Sequence, residues 1–383
     1  MVTLQNAENA LKTVYLGTVT ELLNTKVNPL LTKIRQTSAD VWGKEIRKAV
    51  KYGINGGIGA GDETGDLPAA HSTNYLQFVS TLKNLYGQIE ISDKAIRASA
   101  DGRGAFTDLL TAELEDLLTA SKFNLGRMLF GDGTGKLGTI TTGATYVMDS
   151  VRNLVEGMVV DVYNGSTKAN SGLKIASVDR VNNKVTFTTT PTIGNNYSLY
   201  VQGSRDKEIT GLGAIFDGTT IYGVSKANNP FLNPHIQASA GAISDRLIQT
   251  VVDKLELNTG SNIDFLACSA DVKYAYQDYL SQYRRNIDVM ELAGGFRTLS
   301  FNGIPLVYDR FVENGTMYLL DTSAFKLHQL CDWRYLETEN GKILRQTQGK
   351  PTYSATLVKY CDLICDRPNG QAKISGITAP AST

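Results

Sequence analysis

The stretch Gly131-Asp-Gly-Thr-Gly-Lys136 holds the residue types of a phosphate cradle, because glycines ahead of a lysine can turn backbone N–H groups toward phosphate oxygens. Its spacing fails that chemistry. Phe130 stands where the first glycine belongs, Leu137 follows the lysine in place of Ser or Thr, and the segment ends a helical pattern instead of opening one. The cluster from Gly56 to Gly61 misses the dinucleotide fingerprint similarly, with Asp62 in the third glycine position and Pro68 beyond it. His71, His235 and His328 are far apart and form no two-His helical motif, so no metal site is expected. Cys361 and Cys365 share one face of a predicted strand, too far apart for a disulfide and without the Cys or His neighbours that zinc needs. No Gly-x-Ser-x-Gly elbow is present. These residues predict no catalytic group, no cofactor and no enzyme.

The remaining chemistry is that of surfaces. Asp62 and Glu63 are an acid pair whose candidate charge partners are Arg284, Arg285 and Arg345, as surface pairs worth under about 1 kcal/mol each. Lys plus Arg equals Asp plus Glu at 38 each, which argues against tight nucleic-acid binding and allows only weak contact. The chain has 383 residues, 42% of them apolar, enough for two or three packed units. Four scattered cysteines imply a reducing compartment, and the N-terminus shows no leader. No run approaches the ~18 apolar residues of a membrane span, so a soluble intracellular protein with no membrane contact is expected. Tyr274, Tyr276, Tyr279 and Tyr283 suit either an interface or one helix face in a core.

Residues 38 to 91 read as two β-arms joined by a glycine-rich tip, Tyr52 to Pro68, with no core of its own. The second arm, Tyr75 to Ile91, puts Leu76, Phe78 and Leu82 on one face and Val79, Leu85, Ile89 and Ile91 on the other. A ribbon apolar on both faces is expected to be ordered by neighbouring subunits. Tyr52, Ile54, Asp62, Glu63, Leu76, Phe78 and Leu82 are its candidate inter-subunit contacts, and Phe78→Asp should block assembly while the α/β unit stays folded. Before it, residues 6 to 34 carry a loose helical pattern broken at Pro29, which reads either as an arm with Leu11, Tyr15 and Leu22 as contacts or as an ordinary amphipathic helix on its own domain. After it, Gly104 to Phe130 predicts a long helix, acidic early and basic late as the macrodipole prefers. Short alternating runs from about 138 to 208 predict a small antiparallel β-unit, residues 209 to 330 an α/β unit, and Leu327 to Ile377 a closing set of strands.

That order resembles the major capsid proteins of tailed bacteriophages, the Hong Kong 97-like α+β fold, in its form with an insertion domain. The wording is also similar in Leu23-Asn-Thr-Lys-Val-Asn-Pro-Leu30, Trp42-Gly-Lys-Glu-Ile-Arg47, Gly87-Gln-Ile-Glu-Ile-Ser-Asp-Lys-Ala-Ile-Arg97, Thr210-Gly-Leu-Gly-Ala-Ile-Phe216 and Asn302-Gly-Ile-Pro-Leu306. Cys331-Asp-Trp333 and Cys365-Asp-Arg-Pro-Asn-Gly370 extend it toward the C-terminus.

The resemblance implies an N-terminal arm over 1–37, an E-loop over 38–91 lying across a neighbouring subunit, and a peripheral domain with spine helix over 92–137. It further implies an insertion domain over 138–208, an axial domain over 209–325, and peripheral strands with the C-terminus over 326–383. Hexamers and pentamers of one polypeptide would tile an icosahedral phage head around double-stranded DNA, assembled in the bacterial host cytoplasm. Its implied partners are a portal and a head-maturation protease. Because Met1 directly precedes the arm, a separate scaffold protein is expected. Lys51 and Lys83 lie near the hairpin and Asn340 on the closing hairpin, but the sequence does not match them to the crosslinking positions of the family's founding member, and interlocked arms with hydrophobic contacts are expected in place of a covalent weld. The nearest rival is an encapsulin-type nanocompartment shell, which encloses cargo protein. A nucleotide-dependent α/β enzyme is the remote one.

Overall fold

Apolar residues at helical spacing before Gly131 predict one long helix, and Ala105–Phe130 forms it in the computed structural model, which describes residues 28–94, 105–283, 289–292, 296–337, 341 and 343–379. Its 26 residues span roughly 40 Å. Leu118, Leu125 and Leu129 of this spine helix are buried, and Leu117 lies against Gly87 of the strand Lys83–Ser92. That strand belongs to a five-stranded sheet built around Thr352–Cys365. Lys83–Ser92 runs antiparallel on one side of this central strand, and Phe325–Tyr335 and Arg345–Gln346 run antiparallel on the other. Arg35–Thr37 adds in parallel to the outer edge of Phe325–Tyr335. Leu30, Leu31 and Ile34, around the short helix Pro29–Lys33, are buried in the same core.

A closed barrel of six strands leaves the end of the spine helix: Lys136–Thr142, Val147–Met148, Val159–Asn164, Thr167–Asp179, Lys184–Phe187 and Tyr197–Val201. Closure removes free edges, and Ile140, Leu154, Val160, Val162, Val185 and Leu199 fill the interior. Beyond it lies a mixed seven-stranded sheet, in the order His235–Gln237, Ala372–Ile374, Met317–Leu320, Phe265–Cys268, Ile304–Tyr308, Phe296–Phe301 and Val289–Leu292. The helices Asp245–Thr259 and Ala270–Tyr283 bury Ile248, Val251, Leu255 and Tyr276 in the second core. Ser244 caps the first of these by accepting the Leu247 N–H at 3.2 Å, and Gly260 ends it at φ 63°.

The hairpin departs from the sequence reading. The predicted arm from Tyr75 to Ile91 breaks at Leu82: Asn74–Thr81 pairs with Glu45–Tyr52, whereas Lys83–Ser92 pairs with Thr352–Cys365 in the five-stranded sheet. The buried apolar positions change parity across the break, from Phe78 to Leu85, Ile89 and Ile91. Alternation has period two, so a parity change records a change of sheet, not a ribbon apolar on both faces.

Gly131 to Lys136 is a helix stop that feeds a strand, with Gly133 and Gly135 at φ 83° and 79°. A side chain at Gly135 would press on the Glu208 carboxylate, which forms a buried two-point ion pair with Arg127 at 2.8 and 2.5 Å. Gly211 is the tighter case, since its Cβ would fall within the radii of the Met128, Leu129 and Gly131 backbone oxygens. A carbonyl at a helix end cannot rotate aside as a side chain can. Gly211→Ala should therefore lower stability by about 1–3 kcal/mol, read as a lower urea midpoint with an unchanged slope.

Candidate functional site: the hairpin, its anchor and the adjoining cleft

The base of the hairpin is fixed by its own chain. Phe78 is 1% exposed, with its ring 5.2 Å from that of Tyr222. The Val79 N–H donates to the Tyr222 carbonyl at 3.0 Å. The Tyr222 hydroxyl donates to the Leu363 carbonyl at 3.0 Å and accepts the Cys365 N–H at 2.9 Å. Burial pushes that phenol well above its ordinary range, so it keeps its proton and its role as donor. The Ser80 hydroxyl donates to the Asp362 carboxylate, which also accepts the Thr210 N–H at 2.6 Å and the Thr210 hydroxyl at 3.1 Å. Burial raises the Asp362 carboxyl, opposed by the Ser80 and Thr210 hydrogen bonds and by the charge of Lys83. Lys48 reaches Asp366 at 2.6 Å, and Lys326 meets the same carboxylate at 3.2 Å. His328, opposite Asp362 in register, is buried with Nδ1 2.8 Å from the Ala39 carbonyl, and burial holds its imidazole below the ordinary range.

Two sequence-predicted contacts are thereby corrected. Phe78 and Leu82 are buried in the chain's own core, and Leu76 is half-buried against that core. Phe78→Asp would place a charge against Tyr222 and unseat the hairpin base, so it does not isolate assembly from folding.

The tip is another matter. Gly53 to Thr73 has neither helix nor strand. Tyr52 stacks on Phe231 with ring centroids 4.5 Å apart, and beyond that contact Ile54, Ile58 and Leu67 are 77%, 75% and 90% exposed. Asp62, Glu63 and Asp66 are exposed between them. Among the described residues no ion pair reaches Asp62 or Glu63, and the Arg345 guanidinium donates instead to the Glu337 carbonyl at 2.7 Å. Arg284 and Arg285 lie outside the described residues, as do Leu11, Tyr15 and Leu22 of the expected arm and Asn340.

A cleft of about 1410 Å³ lies where the spine helix, the barrel and the loop after Ile304–Tyr308 meet. Lys122, Lys136, Arg152, Arg180, Lys273 and Arg310 line it, together with Asp149, Asp309 and Glu313. The Arg310 guanidinium stacks over Phe123 at 4.9 Å and donates to the Arg152 carbonyl at 3.2 Å. Burial pushes the Asp309 carboxyl up to about 6, against the Phe311 N–H that it accepts at 3.0 Å.

The sequence reading singled out neither Asp362 nor Tyr222. Asp362 had a signal, as the one acid in the apolar run Tyr360-Cys-Asp-Leu-Ile-Cys365. Tyr222 had none. Of the tyrosine run, Tyr276 is a core residue whose hydroxyl donates to Asp245 at 2.9 Å, and Tyr274 is exposed. Among the described residues no cluster of His, Cys, Asp or Glu is suited to a metal, and no helix is long and apolar enough to cross a membrane.

No protein-family model matches the chain, and no curated protein matches it in sequence. Its backbone is similar to a subunit of the cyanophage A-1(L) capsid, with a TM-score of 0.54 at 13% identity over 94% of this chain and 93% of that one. It is also similar to the SrpI encapsulin of Synechococcus elongatus, with a TM-score of 0.52 at 11% identity over 93% and 91%. These likenesses span nearly the whole of each chain and show the fold. The protein has the Hong Kong 97-like α+β capsid fold.

Truncating Phe78 to Ala should cost about 3–5 kcal/mol, as a lower unfolding midpoint, because it opens a cavity beside Tyr222. Asp309 predicts a pH dependence. Its carboxyl titrates near 4 unfolded and about 6 folded, so the folded state binds more protons and stability falls as pH rises through that window. Asp309→Asn should flatten this limb, by on the order of 2 kcal/mol between pH 4 and 7, in urea titrations at stepped pH.

Proposed function

We propose that the protein is the building block of a closed shell, the major capsid protein of a tailed-bacteriophage head enclosing double-stranded DNA. The observation that carries this reading is the hairpin tip: apolar side chains at Ile54, Ile58 and Leu67 stand in solvent on a glycine-rich segment whose base is tied to its own body. Ordering such a tip costs more conformational entropy than its own contacts return, so a second copy supplies its seat. The capsid fold supports the same reading, since that architecture forms the cyanophage A-1(L) capsid.

On this reading 1–37 is an N-terminal arm, 38–91 the E-loop, 92–137 and 326–383 the peripheral domain, 138–208 the insertion domain and 209–325 the axial domain. Hexamers and pentamers form through obligate contacts of several thousand Å² per subunit. The balanced charge suits a lining that confines DNA without gripping it. Scaffold, portal and protease are the further partners, and the bacterial cytoplasm is the place of assembly. An encapsulin-type shell is the second reading, favoured by the SrpI likeness.

Expression with and without a scaffold protein, followed by electron microscopy, tests the proposal. Uniform closed particles are expected, and nuclease-protected double-stranded DNA in particles from infected cells distinguishes a phage head from a shell around cargo protein. A stable monomer under every condition would overturn both. A sharper variant replaces residues 56–71 with an Asn-Gly turn. It should keep the melting temperature within a few degrees and lose particles altogether, because that stretch contributes no buried side chain.

A further inference from the structure

The tip and the cleft are complementary in charge and in apolar content. From Gly53 to Leu82 the sequence carries Asp62, Glu63 and Asp66 and no Lys or Arg. The cleft presents six cationic side chains to three carboxyl groups. Lys136 and Lys273 form no ion pair among the described residues, whereas Arg152 is engaged by Glu313 at 3.1 Å and Arg180 by Glu156 at 3.1 Å. Phe123 is half-buried and supplies apolar wall between these charges, with Val151, Val307 and Phe311 largely buried behind it. The tip has the matching composition, with Ile58 before its acids and Leu67 after them.

We infer that the cleft between spine helix, barrel and the Tyr308–Asn314 loop is the seat for the acidic hairpin tip of a second copy of this chain. Among the described residues none of the chain's own tip lines the cleft, so a tip seated there would come from another subunit. This rests on the shell reading and adds to it the surface that receives the tip. Asp62, Glu63 and Asp66 approach Lys136 and Lys273, and Ile58 and Leu67 settle on the apolar wall. A phosphate polymer is the poorer match, because it brings no apolar groups for Phe123 and Phe311 and meets Asp149 and Glu313. Exposed opposite charges set register and encounter rate more than affinity, so the seat selects how a neighbour docks, and the apolar contacts hold it.

Charge reversal tests the pairing. The triple change Asp62→Lys, Glu63→Lys, Asp66→Lys and the double change Lys136→Glu, Lys273→Glu should each reduce particle yield by about tenfold at low salt. A chain carrying both sets should recover to within about threefold of the starting protein. All these positions are exposed or half-buried, so unchanged melting curves confirm folding. Independently, the pair Glu63→Cys and Lys136→Cys should give disulfide-linked multimers on a non-reducing gel after assembly. Full yield from both reversed chains, or loss without recovery in the combined chain, would overturn the seat while leaving the shell reading intact. Failure of the unaltered chain to assemble would sink both. Binding of a short DNA duplex that Lys136→Glu, Lys273→Glu abolishes, with no multimers from the cysteine pair, would make the cleft a nucleic-acid site instead.

Discussion

A carboxylate buried in the middle of a sheet persists only where donors are brought to it, and Asp362 gathers its donors from segments far away in sequence. Ser80 arrives from the hairpin and Thr210 from the exit of the barrel, both ending on a strand near the C-terminus. Beside it, the Tyr222 hydroxyl joins the same strand through the Leu363 carbonyl and the Cys365 N–H, and its ring meets Phe78. Hairpin, barrel and five-stranded sheet thus share one buried polar junction. Loss of a donor weakens the compensation of a polar atom held in the core, most of all for the Asp362 oxygen served by the Thr210 N–H alone.

From that junction the hairpin divides into two regimes. Its base is apolar, strand-paired and ion-paired through Lys48 and Asp366, so the chain's own contacts determine its conformation. Its tip is rich in glycine, exposes Ile54, Ile58 and Leu67, and has no strand partner. On the proposed shell reading, a rigid base aims a tip that is ordered by what it meets. In a shell subunit this division couples ordering of the tip to contact with a correctly placed neighbour, and leaves the folded body unaffected until then.

Local signals in the sequence were legible. Ser244 and Gly260 bound the helix Asp245–Thr259, and the turn at Asn302-Gly303, with φ 49° and 80°, precedes the strand Ile304–Tyr308. The spine helix follows its apolar spacing to within a residue of the expected Gly104 start. The switch of sheets at Leu82 was misread because each half alternates correctly by itself, and only the parity change between them marks the break. Within the β-unit expected from about 138 to 208, the first strand Lys136–Thr142 has the weakest signal, because a Thr- and Gly-rich run after a helix stop carries little apolar alternation and its partner Tyr197–Val201 lies far along the chain. Phe78 reads as an inter-subunit contact in the sequence because periodicity gives a face without saying what covers it. The cleft was not legible at all, since residues from Lys122 to Arg310 converge there only through the fold.

Hydrogen–deuterium exchange on the soluble subunit and on assembled particles tests the division of the hairpin most directly. Amides of Glu45–Tyr52 and Asn74–Thr81 should exchange slowly in both states, whereas those of residues 53–73 should exchange freely in the subunit and become protected in the particle. Protection of 53–73 already in the isolated subunit, or its continued free exchange in a completed particle, would contradict the account.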